Sequence, residues 1–272
     1  MQQIQRMTPK QRQQQQTQKY RQLIGITEEV VGAARKVLPR SRKSKGKDLA
    51  SELVIRELAQ QIEHFCQLGQ RVINQTRRRV LEGAQVHVTE KLYSIFEPHT
   101  DLIKRGKIDT PVEFGHKIFL AESAQGLITQ YEVLDGNPCD EDQVAGSLQH
   151  HRHTFGHAPA LYSSDRGFYS EKNVQLCQQE GVKVASLPQC GGKKTAEREA
   201  YEKSADFKKG QRFRAGIEGR ISVLFRGRGM KRCLAQGREH FELLIGAAVL
   251  ANNLLRIADL LKKASSHKKM AA

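Results

Sequence analysis

The stretch that decides the reading of this chain is Ala160–Glu171, ALYSSDRGFYSE. A short apolar run, ALYSS, is followed by Asp165, then by a glycine at Gly167, and then by Ser170 in front of a helical pattern. This order predicts a strand whose tip presents a carboxylate, a turn, and a capped helix. A carboxylate at a strand tip can hold a metal ion or cap the turn. Which one applies depends on what the rest of the chain brings to it.

Working outward, Val182–Leu187 reads as a second short strand after a helix that ends at Gly181, which makes a parallel crossover unit. Upstream, Asp140 and Gln143 form a capping-box-like pair for a helix that runs to about Phe155 and stops at Gly156. Before it, Val112–Glu122 and Leu127–Leu134 read as an antiparallel hairpin around a Ser-Ala-Gln-Gly turn, and residues 92–96 (LYSIF) as a further strand. The expected fold class is α/β, with the middle of the chain forming one mixed sheet.

The N-terminal third has a different period. Leu23, Ile26, Val30, Ala33 or Ala34, and Val37 recur every three or four residues, which predicts a helix over Tyr20–Leu38 ended by Pro39. Residues 40–47 (RSRKSKGK) read as a basic flexible turn. Leu49, Leu53, Leu58, Ile62, Phe65, Leu68 and Val72 predict a second helix to about Leu81, so that residues 20–83 form a helical hairpin. Residues 1–19 are Gln-rich and basic, and read as a frayed or disordered arm. Residues 84–262 make the core and 263–272 a tail. Towards the C-terminus, 189–212 is a polar, basic connection. Arg214–Arg226 is a helix with Ile217, Ile221, Leu224 and Phe225 on one face, and Phe241–Leu261 is a strongly apolar helix.

Composition narrows the partners. The 272 residues carry a net charge of +16. Residues 1–50 hold 12 Lys/Arg against 3 Asp/Glu (+9), and residues 191–240 hold 14 against 6 (+8), so the remainder is close to neutral. Clustered positive charge is a footprint for a polyanion, above all nucleic acid. Lys208, Lys209, Arg212, Arg214, Arg220, Arg226 and Arg228 are the expected contacts. The N-terminus has no apolar leader and no apolar run reaches 18 residues, so the expected location is the cytoplasm. The five cysteines lie apart with no C-x-x-C pair, which fits a reducing compartment rather than a disulfide or zinc framework.

A second carboxylate stands out. Glu218 is adjacent to Ile217 and three residues before Ile221, at the border of the core-facing side of its helix. A carboxylate there needs a cation. Arg214 and Arg220 are within reach along the helix, and a divalent ion shared with Asp165 is the other candidate. Mg²⁺ takes oxygen ligands and would be met by two or three carboxylates from different elements.

SSDRGFYSEKN, followed 53 residues after its Asp by a Glu in FRAGIEGRISVLFRGRGMKRC, resembles the second and third acidic motifs of bacterial insertion-sequence transposases of the DDE class, in particular the ISNCY-like group. SIFEPHTDLIKRGK, VEFGHKIFLAE and YEVLDGNPCDEDQ are similar to core segments of the same group, so the resemblance runs from about Tyr20 to Ala258. It implies a ribonuclease H-like fold, Mg²⁺ or Mn²⁺ as cofactor, and DNA (transposon ends and target) as partner, with metal-dependent cleavage and strand transfer. A homodimer is a further expectation. Asp165 matches the second acid of the triad and Glu218 the third. The first acid, expected on a strand before the helical region, has no counterpart, since no Asp occurs before Asp48. The chain therefore reads as an N-terminally truncated copy lacking its first strand and its DNA-binding helix-turn-helix, with catalysis impaired.

Asp101 is the best stand-in for the missing acid, with Asp135 behind it. His99 and His116 read as structural, and His150, His151 and His153 as a solvated helix end. The alternative to a transposase is a non-catalytic basic DNA-binding protein in which the acids are structural.

Overall fold

The computed structural model describes residues 8–43, 46–104 and 111–270. The chain divides into two compact units, Met1–Thr100 and Asp101–Ala272.

The first unit is a helical hairpin. α1 (Pro9–Lys43) starts earlier than periodicity alone predicts, because Thr8, Pro9 and Gln11 make an N-terminal cap. Thr8 Oγ1 accepts from the Gln11 amide at 3.4 Å, and Gln11 Oε1 accepts from the Thr8 amide at 3.0 Å. Proline at the first helical position lacks only an N–H that would be orphaned anyway. So much of the arm expected to be frayed is helix, while residues 1–7 lie outside the described residues. Pro39 does not end α1, which continues to Lys43; residues 44 and 45 of the expected basic turn are outside the described residues.

α2 (Leu49–Thr76) begins at Asp48, whose carboxylate accepts from the Ser51 amide at 2.7 Å, and runs into a wider turn at Arg77–Leu81. It packs on α1 through Ala59, Cys66 and Ile73 against Ile24, Val31 and Leu38. Gly69 permits the close approach, since a Cβ there would sit 2.9 Å from Val31 Cγ2. Residues 84–100 belong to this unit rather than to a sheet. Gln75 clamps Leu92 by both backbone groups (2.8 and 2.7 Å), and Arg71 donates to the Thr89 and Glu90 carbonyls. That pairing uses the backbone groups that a strand at 92–96 would need, and no strand forms there.

The second unit is α/β. Its order is β1 (Asp101–Lys104), β2 (Val112–Gly115), β3 (Ile118–Glu122), β4 (Ile128–Val133), α3 (Gln143–Phe155), β5 (Leu161–Ser163), α4 (Glu171–Gln179), β6 (Val184–Ser186), α5 (Ala196–Lys203), α6 (Ala205–Gly227) and α7 (Arg238–Met270). The strands pair two by two: β1–β2 and β3–β4 antiparallel, β5–β6 parallel. The predicted single strand over 112–122 is broken at Gly115, whose φ of 147° no other residue type adopts readily. Helix accounts for 63% of the chain, so the expected mixed sheet is reduced to three ribbons.

Two apolar clusters hold this unit. In one, Ile128, Leu224, Met230, Ile245, Ala248 and Val249 join the β3–β4 hairpin to α6 and α7. In the other, Val144, Leu148, Cys177, Val182, Ala185 and Leu187 join α3 and α4 to the β5–β6 pair. α7 is long and apolar enough to cross a membrane by length and composition. Along this helix, however, Asn253 exchanges two hydrogen bonds with the backbone of Ile128 (2.9 and 2.8 Å) and Arg256 donates to the Gln125 carbonyl at 2.6 Å.

Candidate functional site

α6 begins nine residues before the predicted start at Arg214, at the cap Ser204, whose hydroxyl accepts from the Phe207 amide. α5 precedes it within the stretch read as a connection. Periodicity misses the first two turns because their inward positions are mixed: Phe207, Gly210, Gln211 and Arg214.

Those residues dock α6 across the ends of β5 and β6. Gly210 is the contact point, since a Cβ there would stand 2.6 Å from Ser186 Cβ. The Ser163 hydroxyl donates to the Gly210 carbonyl at 2.8 Å, and the Ser186 hydroxyl to the Phe207 carbonyl at 3.0 Å. Gln211 Nε2 donates to the Ser186 carbonyl at 2.8 Å. Buried polar groups are thereby paired, which makes the crossing specific in register.

One turn beyond Gly210, the register brings Arg214 to the tip of β5. There Asp165 follows the strand and accepts from the Arg166 amide with Oδ1, starting a short 3-10 turn. Its other oxygen, Oδ2, accepts from Arg214 Nη2 at 2.8 Å, and the same nitrogen lies 3.2 Å from Glu218 Oε1. The two carboxylate oxygens are therefore at most 6.0 Å apart, the sum of those contacts. Asp165 and Glu218 do converge, as expected, and the position between them holds a guanidinium. Arg214 is 27% exposed, against 55% for Asp165 and 66% for Glu218. The charge at the centre is thus the best shielded of the three.

The remaining candidates are employed elsewhere. Asp101 lies on β1, where Oδ2 accepts from the Gly136 amide at 3.0 Å and contacts His116 Nδ1 at 3.1 Å, tying β1 to the turn after β4. Asp135 pairs with Arg238 at 3.0 Å and Asp140 with Lys117 at 2.6 Å. His99 Nε2 pairs with Glu97 at 2.6 Å. His150 contacts the Thr129 carbonyl, and the ring of His151 packs on Phe155. Burial, with His157 and His150 nearby, holds His151 below the ordinary histidine range. Among the described residues no three His, Cys, Asp or Glu side chains cluster as metal ligands. The acidic pair as arranged suits an arginine, and it does not fit a Mg²⁺ ion. A metal would need the guanidinium gone and further oxygen ligands brought in. Burial pushes the Cys177 thiol up to about 11, which keeps it protonated and unreactive at neutral pH.

The seven expected DNA contacts divide. Lys208, Lys209, Arg212 and Arg226 are exposed along α6. Arg214 is held by the two acids, and Arg220 is paired with the buried Glu122 at 3.1 Å beneath Gly126. Arg228 is half-buried and donates to the Gly227 carbonyl at 2.9 Å. In the first unit, an open cleft of about 610 Å³ is lined in part by Arg35, Arg71 and Arg78. Arg71 and Arg78 are committed there to Thr89 and Glu90.

One feature of α6 is not visible from charge alone. Lys209, Arg212, Gly216, Gly219, Val223 and Arg226 follow each other at three- and four-residue steps, one outward stripe. Nothing lies within 4 Å of where a Cβ would be at Gly216 or Gly219, so no packing inside the protein requires glycine there. The family, curated-protein and solved-structure comparisons found no match to this chain.

Proposed function

We propose that this chain is a DNA-binding protein of the insertion-sequence transposase kind in which Asp165, Arg214 and Glu218 form a structural clasp instead of a working metal centre. The observation that carries the reading is the outward stripe of α6, with cations at both ends and two uncrowded glycines between them. Each helical glycine costs about 0.8–1.0 kcal/mol relative to alanine, a cost the fold does not recover by packing. A backbone surface without side chains, flanked by Lys208, Lys209, Arg212 and Arg226, suits close approach of a phosphate backbone. The ribonuclease H-like core and a bacterial cytoplasmic setting go with this reading. In its favour are the parallel β5–α4–β6 unit, Asp165 at the tip of β5, and α6 returning Glu218 over that tip.

The test is duplex binding followed by fluorescence anisotropy across a salt series. Replacing Lys208, Lys209, Arg212 and Arg226 by Gln should flatten the log–log salt slope by up to about 0.9 per lost phosphate contact. The double change Gly216→Ala and Gly219→Ala should raise stability while weakening binding. An unchanged salt slope in the Gln variant would remove α6 from the interface.

A second reading keeps full catalysis with Mg²⁺ or Mn²⁺ at Asp165 and Glu218. It draws on their convergence and exposure, and it needs Arg214 to swing away and another carboxylate to arrive.

A further inference from the structure

α1 carries more apolar surface than α2 covers. Ile24, Val31 and Leu38 are buried. One residue round the helix, Leu23, Ile26, Val30 and Val37 are 56%, 59%, 62% and 51% exposed, with Ala33 exposed between them. Single exposed apolar residues need no explanation, but a continuous stripe does. The steps 23–26–30–33–37 are three, four, three and four residues, the a and d positions of a heptad. Leu23, Val30 and Val37 are a; Ile26 and Ala33 are d. A stripe of that period is filled by a helix lying alongside.

The flanking residues decide which helix and in which direction. The e positions Thr27 and Ala34 are half-buried, and the g positions Gln22, Glu29 and Lys36 are exposed on the open edge. A parallel second copy would set Glu29 against Ala34 and Lys36 against Ser41, with no charge pair on either side. An antiparallel copy stacks Val30 on Ala33 and Ile26 on Val37. Between those layers it sets Glu29 against Lys36, and two-fold symmetry repeats the pair.

We infer that the exposed stripe of α1 binds α1 of a second copy of this chain in antiparallel register, closed by reciprocal Glu29–Lys36 pairs. The inference stands independently of the DNA reading. The stripe from Leu23 to Val37 is only about 21 Å long, which suits a reversible dimer rather than an obligate one.

The experiment is sedimentation velocity on the full chain, freed of nucleic acid, from low to high micromolar concentration. The wild type should show a reversible monomer–dimer equilibrium. Glu29→Lys alone and Lys36→Glu alone each turn two attractive pairs into two repulsive ones, and should raise the dissociation constant by about tenfold. The combined Glu29→Lys, Lys36→Glu variant should return to within about threefold of wild type, which an antiparallel self-pair predicts and a structural defect does not. Val30→Asp should leave only monomer, with helicity by circular dichroism unchanged. A wild type that stays monomeric throughout, or a charge swap that fails to restore association, overturns the inference.

Discussion

Replacing Arg214 by alanine removes the guanidinium that bridges two carboxylate oxygens at most 6.0 Å apart. The loss can be sized term by term. The 2.8 Å contact to Asp165 is charge-assisted but more than half of Asp165 faces water, so it contributes about 1 kcal/mol at most. The Glu218 contact is an i,i+4 pair on one helix and adds about 0.3–0.5 kcal/mol. Bare carboxylates 6 Å apart would repel by about 0.7 kcal/mol at the dielectric of water and about 2.8 kcal/mol at an effective value of 20. The exposure of both acids favours the lower figure. The expected destabilisation is therefore about 2 kcal/mol at low salt, shrinking as salt screens it. Urea unfolding of the wild type, Arg214→Ala, Asp165→Asn and the double variant would measure it as a cycle. Asp165→Asn in the Arg214→Ala background should restore part of the stability, because it removes the repulsion. If Arg214→Ala costs nothing, or the cycle shows no coupling, the clasp is not what holds α6 at the tip of β5.

Two further outcomes follow from the same docking. Gly210→Ala should destabilise by about 1–3 kcal/mol despite alanine's better helix propensity, because the new Cβ meets Ser186 at 2.6 Å; the urea midpoint checks it. Glu202 is held below its usual carboxylate value: burial opposes this, but Lys194, the Gln189 amide and Arg198 together outweigh it. Since its folded value is the lower one, the stability it supplies is complete above the ordinary value of 4.5 and is lost as pH falls through the depressed value. Wild type should therefore lose stability on acidification more steeply than Glu202→Gln, read from melting temperatures between neutral and acidic pH.

The helical hairpin is legible in the sequence, but the buried side of α1 is not. Two apolar stripes run side by side, Leu23-Ile26-Val30-Val37 and Ile24-Val31-Leu38, and the first has the fuller period. α2 chooses the second, through Gly69 and Cys66 at Val31. The strand expected at 92–96 has the right composition, yet Gln75 takes its backbone groups. The crossover around Asp165 was readable because caps and glycines mark each element: Gly156, Ser170 and Gly181. The start of α6 was not, since its inward face is built from a glycine, an amide and a guanidinium. One signal for Arg214 was available. Stepping back from Leu224 through Ile221 and Ile217 by threes and fours lands on Arg214, and an arginine on a core-facing stripe must find acids.

The central claim is that this protein holds DNA with the outer face of α6 while Arg214 keeps Asp165 and Glu218 out of metal chemistry. The direct measurement is incubation of the full chain with supercoiled plasmid in Mg²⁺ and in Mn²⁺, with retention and nicking read on the same gel, for wild type and Glu218→Gln. The account predicts plasmid that is retained by both proteins and cut by neither. Divalent-dependent nicking by the wild type that disappears in Glu218→Gln would contradict it and return the two acids to catalysis.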